Sequence, residues 1–206
     1  MPSDLRLSSS ARCPWNKCRL IGQKRPLKPK DVWGIRIRLE LSERRRDLAL
    51  FALAIDSKLR ACDLVRLRIQ DLCVGARARD RATVIQKKTH RAVQFEITCQ
   101  TRAALEMLIS SIGGGPEDYL FPGRREHLST RQYARLVHQW VKAVGLDSSA
   151  YGTHSMRRTK AAQIYRATGN LRAVQLLLGH TKLESTVRYL GIEIDDALRI
   201  SEQIEI

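Results

Sequence analysis

Residues 154–190 read HSMRRTKAAQIYRATGNLRAVQLLLGHTKLESTVRYL, and this stretch decides the architecture. It divides into three short helices, at His154–Thr168, Leu171–Leu178 and Lys182–Tyr189. His154 and Arg157 stand three residues apart at the first helix start, which puts both on one face. Gly179 suits the left-handed position that ends a helix, and so directs His180. Thr181-x-x-Glu184 matches a capping box, so the next helix starts at once and carries Tyr189 two turns in. His180 and Tyr189 are therefore expected at opposite ends of one short helix.

Upstream, the pattern is mostly helical. Leu128-Ser-Thr-Arg-Gln132 opens a helix with Ser129 and Gln132 as a capping box, and Tyr133, Leu136, Val137, Trp140, Val141 and Val144 mark its buried face. Arg131, Arg135, His138 and Lys142 form a stripe on another face. Such a stripe is by default a solvated surface, but four groups without an acid among them also suit DNA phosphates. Asp31–Leu41 has helical spacing, with Ser42 as a cap for the following helix. Leu48–Ile55 is apolar all round, as in a helix buried at the centre of a domain. A shorter helix is expected over Arg60–Leu67.

The period then changes. Ala82–Gln86 and Arg91–Thr98 read as strands joined by the turn Lys87-Lys88-Thr89-His90, and Asp71–Val74 as a third strand. Thr101–Ile112 returns to helix and stops at Gly113. The fold class is α+β, mostly helical with a small three-stranded antiparallel sheet. The organisation expected is a flexible basic arm at 1–27, one domain at 28–191 and a tail at 192–206.

The 206 residues suffice for one domain with a real core and hardly for two. Lys and Arg total 37 against 21 Asp and Glu, a net charge of +16. That excess repels itself in the folded state and calls for a polyanionic partner, nucleic acid first, because neutralised phosphates release counterions. No stretch has the amphipathic form of a membrane-surface helix or the length of a spanning one. The first thirty residues lack the apolar core of a signal peptide, so a cytoplasmic, DNA-associated location is expected. Five cysteines without an export signal read as reduced thiols. Cys13 and Cys18 lack a second pair at zinc spacing, and Cys62, Cys73 and Cys99 read as core.

Breaking a phosphodiester without a metal needs a nucleophile, cations for the transition state and an acid for the leaving oxygen. His154-x-x-Arg157, Leu178-Gly179-His180 and Tyr189 together resemble the tyrosine recombinase (phage-type integrase) signature. Leu59-Arg60-Ala-Cys-Asp63-Leu64 matches that family's upstream arginine segment, and Lys88-Thr89 its hairpin lysine. The similarity spans residues 30–191. Each motif alone is weak; in this order and spacing they reinforce one another.

The resemblance implies the tyrosine recombinase catalytic-domain fold and a set of roles. Tyr189 attacks the scissile phosphate to give a 3′-phosphotyrosine and a free 5′-hydroxyl. Arg60, Arg157 and His180 hold the non-bridging oxygens, Lys88 protonates the 5′-oxygen, and His154 assists proton transfer from the tyrosine. Asp63 orients Arg60 or His154. No cofactor is implied, neither ATP nor a metal, because the phosphotyrosine conserves the bond energy. The partners implied are double-stranded DNA and a homotetramer assembled on two sites, with the acidic tail at 192–206 as a protomer contact. A DNA-relaxing topoisomerase of the same chemistry and a catalytically lapsed DNA-binding regulator are the alternatives. Lys87 competes with Lys88. Ser57-Lys58 departs from the Thr-Gly usual in relatives, and His90 stands where glycine is common. The long helical domain that precedes the catalytic domain in most relatives has only the basic arm in its place, which fits either a short form like the inversion-type recombinases or a catalytic fragment of a longer protein.

Overall fold

The computed structural model describes residues 23–191 and 201–202. Helix α2 (Arg45–Ser57) runs through the centre and is buried from Asp47 to Ser57. Against it pack α1 (Pro29–Leu41), α5 (Cys99–Ile112), α7 (Thr153–Thr168) and strand β4 (Ala92–Glu96). A helix surrounded on every side has no polar face, which is why Leu48–Ile55 shows none. α6 (Thr130–Ala143) closes the core with Tyr133, Leu136, Val137, Trp140 and Val141, while Val144 is only partly buried. Trp140 meets Phe51 edge-on at 5.6 Å, and its indole N–H donates to the buried Asp47 at 3.4 Å. The Ser129 hydroxyl accepts from Gln132 N–H, the expected half of that capping box.

The arm gives way to the domain earlier than charge suggested. Leu27 is buried, its N–H donates to Thr159 Oγ1, and Arg25 N–H donates to Ala150 O. Residues 23–27 are thus a packed strap. The remainder of the arm, Cys13 and Cys18 included, lies outside the described residues, as does the tail apart from 201–202. Ser42 does not cap α2. It ends α1, Glu43 turns left-handed (φ 51°), and Arg44 takes the N-cap.

The helix expected over Arg60–Leu67 is only α3 (Ala61–Leu64), followed by α4 (Ile69–Leu72). Ile69 and Gln70 N–H donate to Asp118 and Pro116 carbonyls, and Leu67 O accepts from Leu120 N–H. A crossing loop thus takes the backbone groups a continuous helix would have used. The sheet is also different. β1 (Cys73–Val74) folds back on β2 (Arg77–Ala78) around Gly75, and β3 (Arg81–Ile85) pairs with β4. Among the described residues there are two two-stranded sheets, not one of three strands. β1 satisfies its partners locally and has no need of β3. Of the three thiols, Cys73 is buried, Cys62 half-buried and Cys99 exposed, since Cys99 opens α5 on its outer side.

Lys58 adopts φ 53°, a left-handed conformation that costs a side-chain-bearing residue about 1 kcal/mol. Its buried Nζ offsets this by donating to Asp56 O (2.6 Å) and the Glu96 carboxylate (3.0 Å). Lys160 completes the network at 2.7 Å from Asp56 and 2.6 Å from Glu96. Burial alone would raise both carboxyls, but the Lys160 hydrogen bonds lead a set of interactions that hold them below their ordinary range. The network ties α2, β4 and α7 together beneath the functional residues.

Candidate active site

The left-handed turn at Lys58 delivers Arg60 to the N-terminus of α3, where its guanidinium donates to the side-chain Oε1 of Gln86, just past the end of β3. Arg157, on the first turns of α7, is buried. Its Nη2 donates to Leu178 O at 2.7 Å, the last residue of α8 (Leu171–Leu178). Gly179 follows at φ +65°, and a Cβ there would stand 2.6 Å from Val93 Cγ2 of β4. Only glycine both turns the chain and lets the hairpin approach so closely. His180 comes next, and its ring meets Tyr189 of α9 (Leu183–Leu190) edge-on at 5.3 Å. The expected Thr181–Glu184 capping box is absent; Lys182 is the N-cap, without a side-chain bond. The turn is closed instead by Gln175, whose amide donates to Thr181 O at 3.2 Å and whose carbonyl accepts from His180 N–H.

Three guanidiniums surround one phenol. Arg158 lies 4.8 Å and Arg157 5.8 Å from the Tyr189 ring centroid, and Arg60 is near enough to act on the hydroxyl electrostatically. Among the described residues, none of the three forms an ion pair with a carboxylate. Burial pushes the Tyr189 hydroxyl up to about 12, against the pull of the arginines. Arg157 Nη1 and Tyr189 Oη attract one another, but among the described residues neither meets a partner in hydrogen-bonding geometry, and both are buried. Burial, then the charges of Arg157 and Arg60, push His180 down to about 4. His154 is lowered by desolvation and by Arg157, Arg158 and Arg60. Both imidazoles lie below their ordinary range and are mainly neutral near pH 7. His180 Nδ1 lies 3.1 Å from the buried Thr186 hydroxyl. With that hydroxyl donating, the ring proton sits on Nε2. His154, Arg158, Lys182 and Tyr189 line a cavity of about 710 Å³.

Arg60, Arg157, His180 and Tyr189 are thus brought together, with His154 at the rim. Lys88 is not: it and Lys87 are exposed on the hairpin turn, without a side-chain hydrogen bond or ion pair among the described residues. Asp63 orients neither Arg60 nor His154. Its Oδ1 accepts from Lys87 N–H at 2.9 Å, so it anchors the turn. Arg131, Arg135, His138 and Lys142 are all exposed on α6, with His138 Nδ1 2.9 Å from Ser148 O. Gln86, Arg158, Gln175 and Thr186 carry no signal in the sequence that marks them as part of the site. Arg158 adjoins Arg157, but helical geometry turns it about 100° away, and no pattern points to its partners.

The profile of the Phage integrase family matches residues 35–194. A tyrosine recombinase of Pseudothermotoga lettingae is 32% identical over 155 residues, covering 75% of this chain and 52% of that protein. The probable integrase/recombinase YoeC of Bacillus subtilis is 29% identical over 162 residues, 75% of this chain and 82% of that one. Tyrosine recombinase XerC of Neisseria meningitidis is 31% identical over 77% of this chain, which spans 51% of it. Apart from YoeC, the chain spans about half the length of these relatives. The fold resembles crystal structures of XerA recombinase (TM-score 0.71, 20% identity, 86% of this chain and 64% of that one). It also resembles the Tn1549 transposon integrase in complex with transposon right end DNA (TM-score 0.72, 17% identity, 90% and 67%). With its own profile match and a relative above 30% identity, the chain belongs to the phage integrase family of tyrosine recombinases.

Proposed function

We propose that this chain is the DNA breaking and rejoining unit of a site-specific recombinase that works through a 3′-phosphotyrosine at Tyr189. One observation carries the reading: Arg60 and Arg157 converge on a buried tyrosine hydroxyl, and among the described residues neither forms an ion pair with a carboxylate. Like charges held together repel, and a phosphodiester entering among them would relieve that repulsion. Cations fixed in advance around developing charge contribute more to the rate of many enzymes than any other single effect. The names of the relatives favour strand exchange over relaxation.

Tyr189 is neutral before attack and must lose its proton as the O–P bond forms. His154, a neutral imidazole lining the same cavity, is the acceptor. Arg157 Nη1, free of partners, would meet a non-bridging oxygen, and His180 would offer Nε2–H to another as a neutral donor. Lys88 would protonate the departing 5′-oxygen once the hairpin turn folds over bound DNA, with Asp63 fixing the base of that turn. The reverse sequence, with a new 5′-hydroxyl, reseals the strand. Full exchange would engage four protomers on two sites, with the tail at 192–206 as the proposed contact between them.

The test is trapping on a nicked suicide duplex. Wild type should give an adduct stable to denaturation, with the oligonucleotide on the peptide containing Tyr189 and a free 5′-hydroxyl on the released strand. DNA mapped to Tyr165 or Tyr151, or cleavage leaving a 5′-phosphate without an adduct, would overturn the reading.

The α6 stripe is the proposed site of binding to the DNA backbone. Replacing Arg131 and Arg135 by alanine should flatten the plot of log affinity against log salt by about 0.9 for each phosphate left without its cation. The single-turnover cleavage rate at saturating DNA should stay put. An unchanged slope in titrations from low to physiological salt would remove the stripe from the interface.

A further inference from the structure

α9 has eight residues, and its last turn carries Tyr189. A helix this short is marginal by itself, and its final carbonyls lack partners within the helix. The Gly191 N–H reaches back to Val187 O and Arg188 O, and two side chains from outside add to it. Gln23 Nε2 donates to Arg188 O at 2.8 Å, and Arg158 Nη2 donates to Tyr189 O. The same Arg158 Nη2 donates to Gln23 Oε1, and its Nη1 donates to Lys24 O at 2.8 Å. The strap has its own anchors: Lys24 Nζ to Ser149 O (2.5 Å), Arg25 N–H to Ala150 O (3.0 Å) and Leu27 N–H to Thr159 Oγ1 (3.0 Å). One guanidinium thus joins the end of the nucleophile helix to a strap 165 residues away in sequence. It also faces the Tyr189 ring at 4.8 Å.

We propose that Arg158 is a positioning residue for the nucleophile, clamping the Tyr189 carbonyl to the Gln23–Lys24 strap and so setting where the phenol stands. The inference rests on Tyr189 being the nucleophile. A cation is well placed at a helix C-terminus, where it meets the negative end of the helix dipole. A fork of fixed geometry can hold carbonyls of two segments at once, which a lysine ammonium cannot do with the same direction. Without the clamp the last turn of α9 frays and the hydroxyl leaves its line of attack. Misplacement of a reacting atom by about 1 Å can cost about a hundredfold.

The experiment measures single-turnover cleavage of a suicide duplex at saturating DNA, together with amide hydrogen exchange of α9. Arg158→Ala should slow cleavage about ten- to a hundredfold, with DNA affinity within about threefold, and should speed exchange at Tyr189, Leu190 and Gly191. Arg158→Lys should recover only part of the rate. Gln23→Ala should act in the same direction more weakly, and should add nothing in the Arg158→Ala background, because both remove one clamp. A neutral methylphosphonate at the scissile position should not rescue Arg158→Ala. Rescue would mean that Arg158 answers the phosphate charge directly, and would overturn the proposal. So would wild-type cleavage, or unchanged α9 exchange, in Arg158→Ala. If Arg158→Ala does not fold, Gln23→Ala decides on the same two readouts: slower cleavage with faster exchange supports the clamp, and no change in either overturns it. Failure of wild type to form a Tyr189 adduct would instead sink the functional reading, while exchange in the two variants would still test the clamp.

Discussion

Tyr189→Phe should form no covalent adduct with DNA, while binding the duplex as tightly as wild type and melting at the same temperature or higher. The first half follows from the chemistry: without the oxygen there is no atom to bond to phosphorus. The second half follows from the geometry. Tyr189 Oη is buried and, among the described residues, meets no partner in hydrogen-bonding geometry, only the attraction of Arg157, so its removal breaks no well-formed hydrogen bond there. A buried polar atom without a partner costs about 1–3 kcal/mol, and the phenylalanine sheds part of that. A group essential to function but adverse to stability is a recognised trade-off in active sites. Denaturing electrophoresis reads the adduct, a salt-matched titration the affinity, and calorimetry the melting. An adduct of undiminished yield would remove Tyr189 from the mechanism. A marked fall in melting temperature would mean that the hydroxyl has a structural partner after all.

Lys88→Ala should lose cleavage by about 10²–10⁴-fold, the usual contribution of a positioned general acid. A substrate with sulfur in place of the bridging 5′-oxygen should restore it, because a thiolate leaves without a proton. The structure sharpens the choice between neighbours. Asp63 binds the Lys87 N–H, so the chain at Lys87 is fixed to α3, and Lys88 is the first residue beyond that anchor. Lys87→Ala should therefore change cleavage little, and sulfur should not change its ratio to wild type. If the sulfur substrate rescues Lys87→Ala and not Lys88→Ala, the acid is Lys87. If neither variant slows with the oxygen substrate, the turn does not supply the proton.

The helices that carry the site were legible because their signals are local. Ser129 caps α6, Gly113 and Gly179 end α5 and α8 left-handed, and the apolar run at Leu48–Ile55 announces a buried helix. The strand expected over Arg91–Thr98 contains β4, whose Val93 and Phe95 are buried, as is Ile97 just beyond it. The elements that differ share a cause. Arg60–Leu67 has the composition of one helix, but after Leu64 it tightens into i→i+3 turns, and a loop at 116–120 takes the backbone groups of Leu67, Ile69 and Gln70 through which a helix would have continued. Cys73–Val74 has strand character, but a tight turn at Gly75 supplies its partner first.

By itself, then, the order of residues determined that His154 and Arg157 open one helix, that His180 follows the glycine ending the next, that Tyr189 stands on the third, and that a basic chain of this size seeks a polyanion. Periodicity and caps act within a few residues, and that is the range at which those conclusions were drawn. Only the tertiary structure decided that three arginines face one phenol with no ion-pairing carboxylate among the described residues, that Asp63 holds the hairpin turn and not Arg60, and that Lys58, Glu96, Asp56 and Lys160 form a network. The strap at Gln23–Leu27 pinning α9 through Arg158 belongs with these. Each joins residues tens to more than a hundred positions apart, and hydrogen bonds and charges of that kind leave no period in the sequence. They follow from which surfaces the buried α2 brings together.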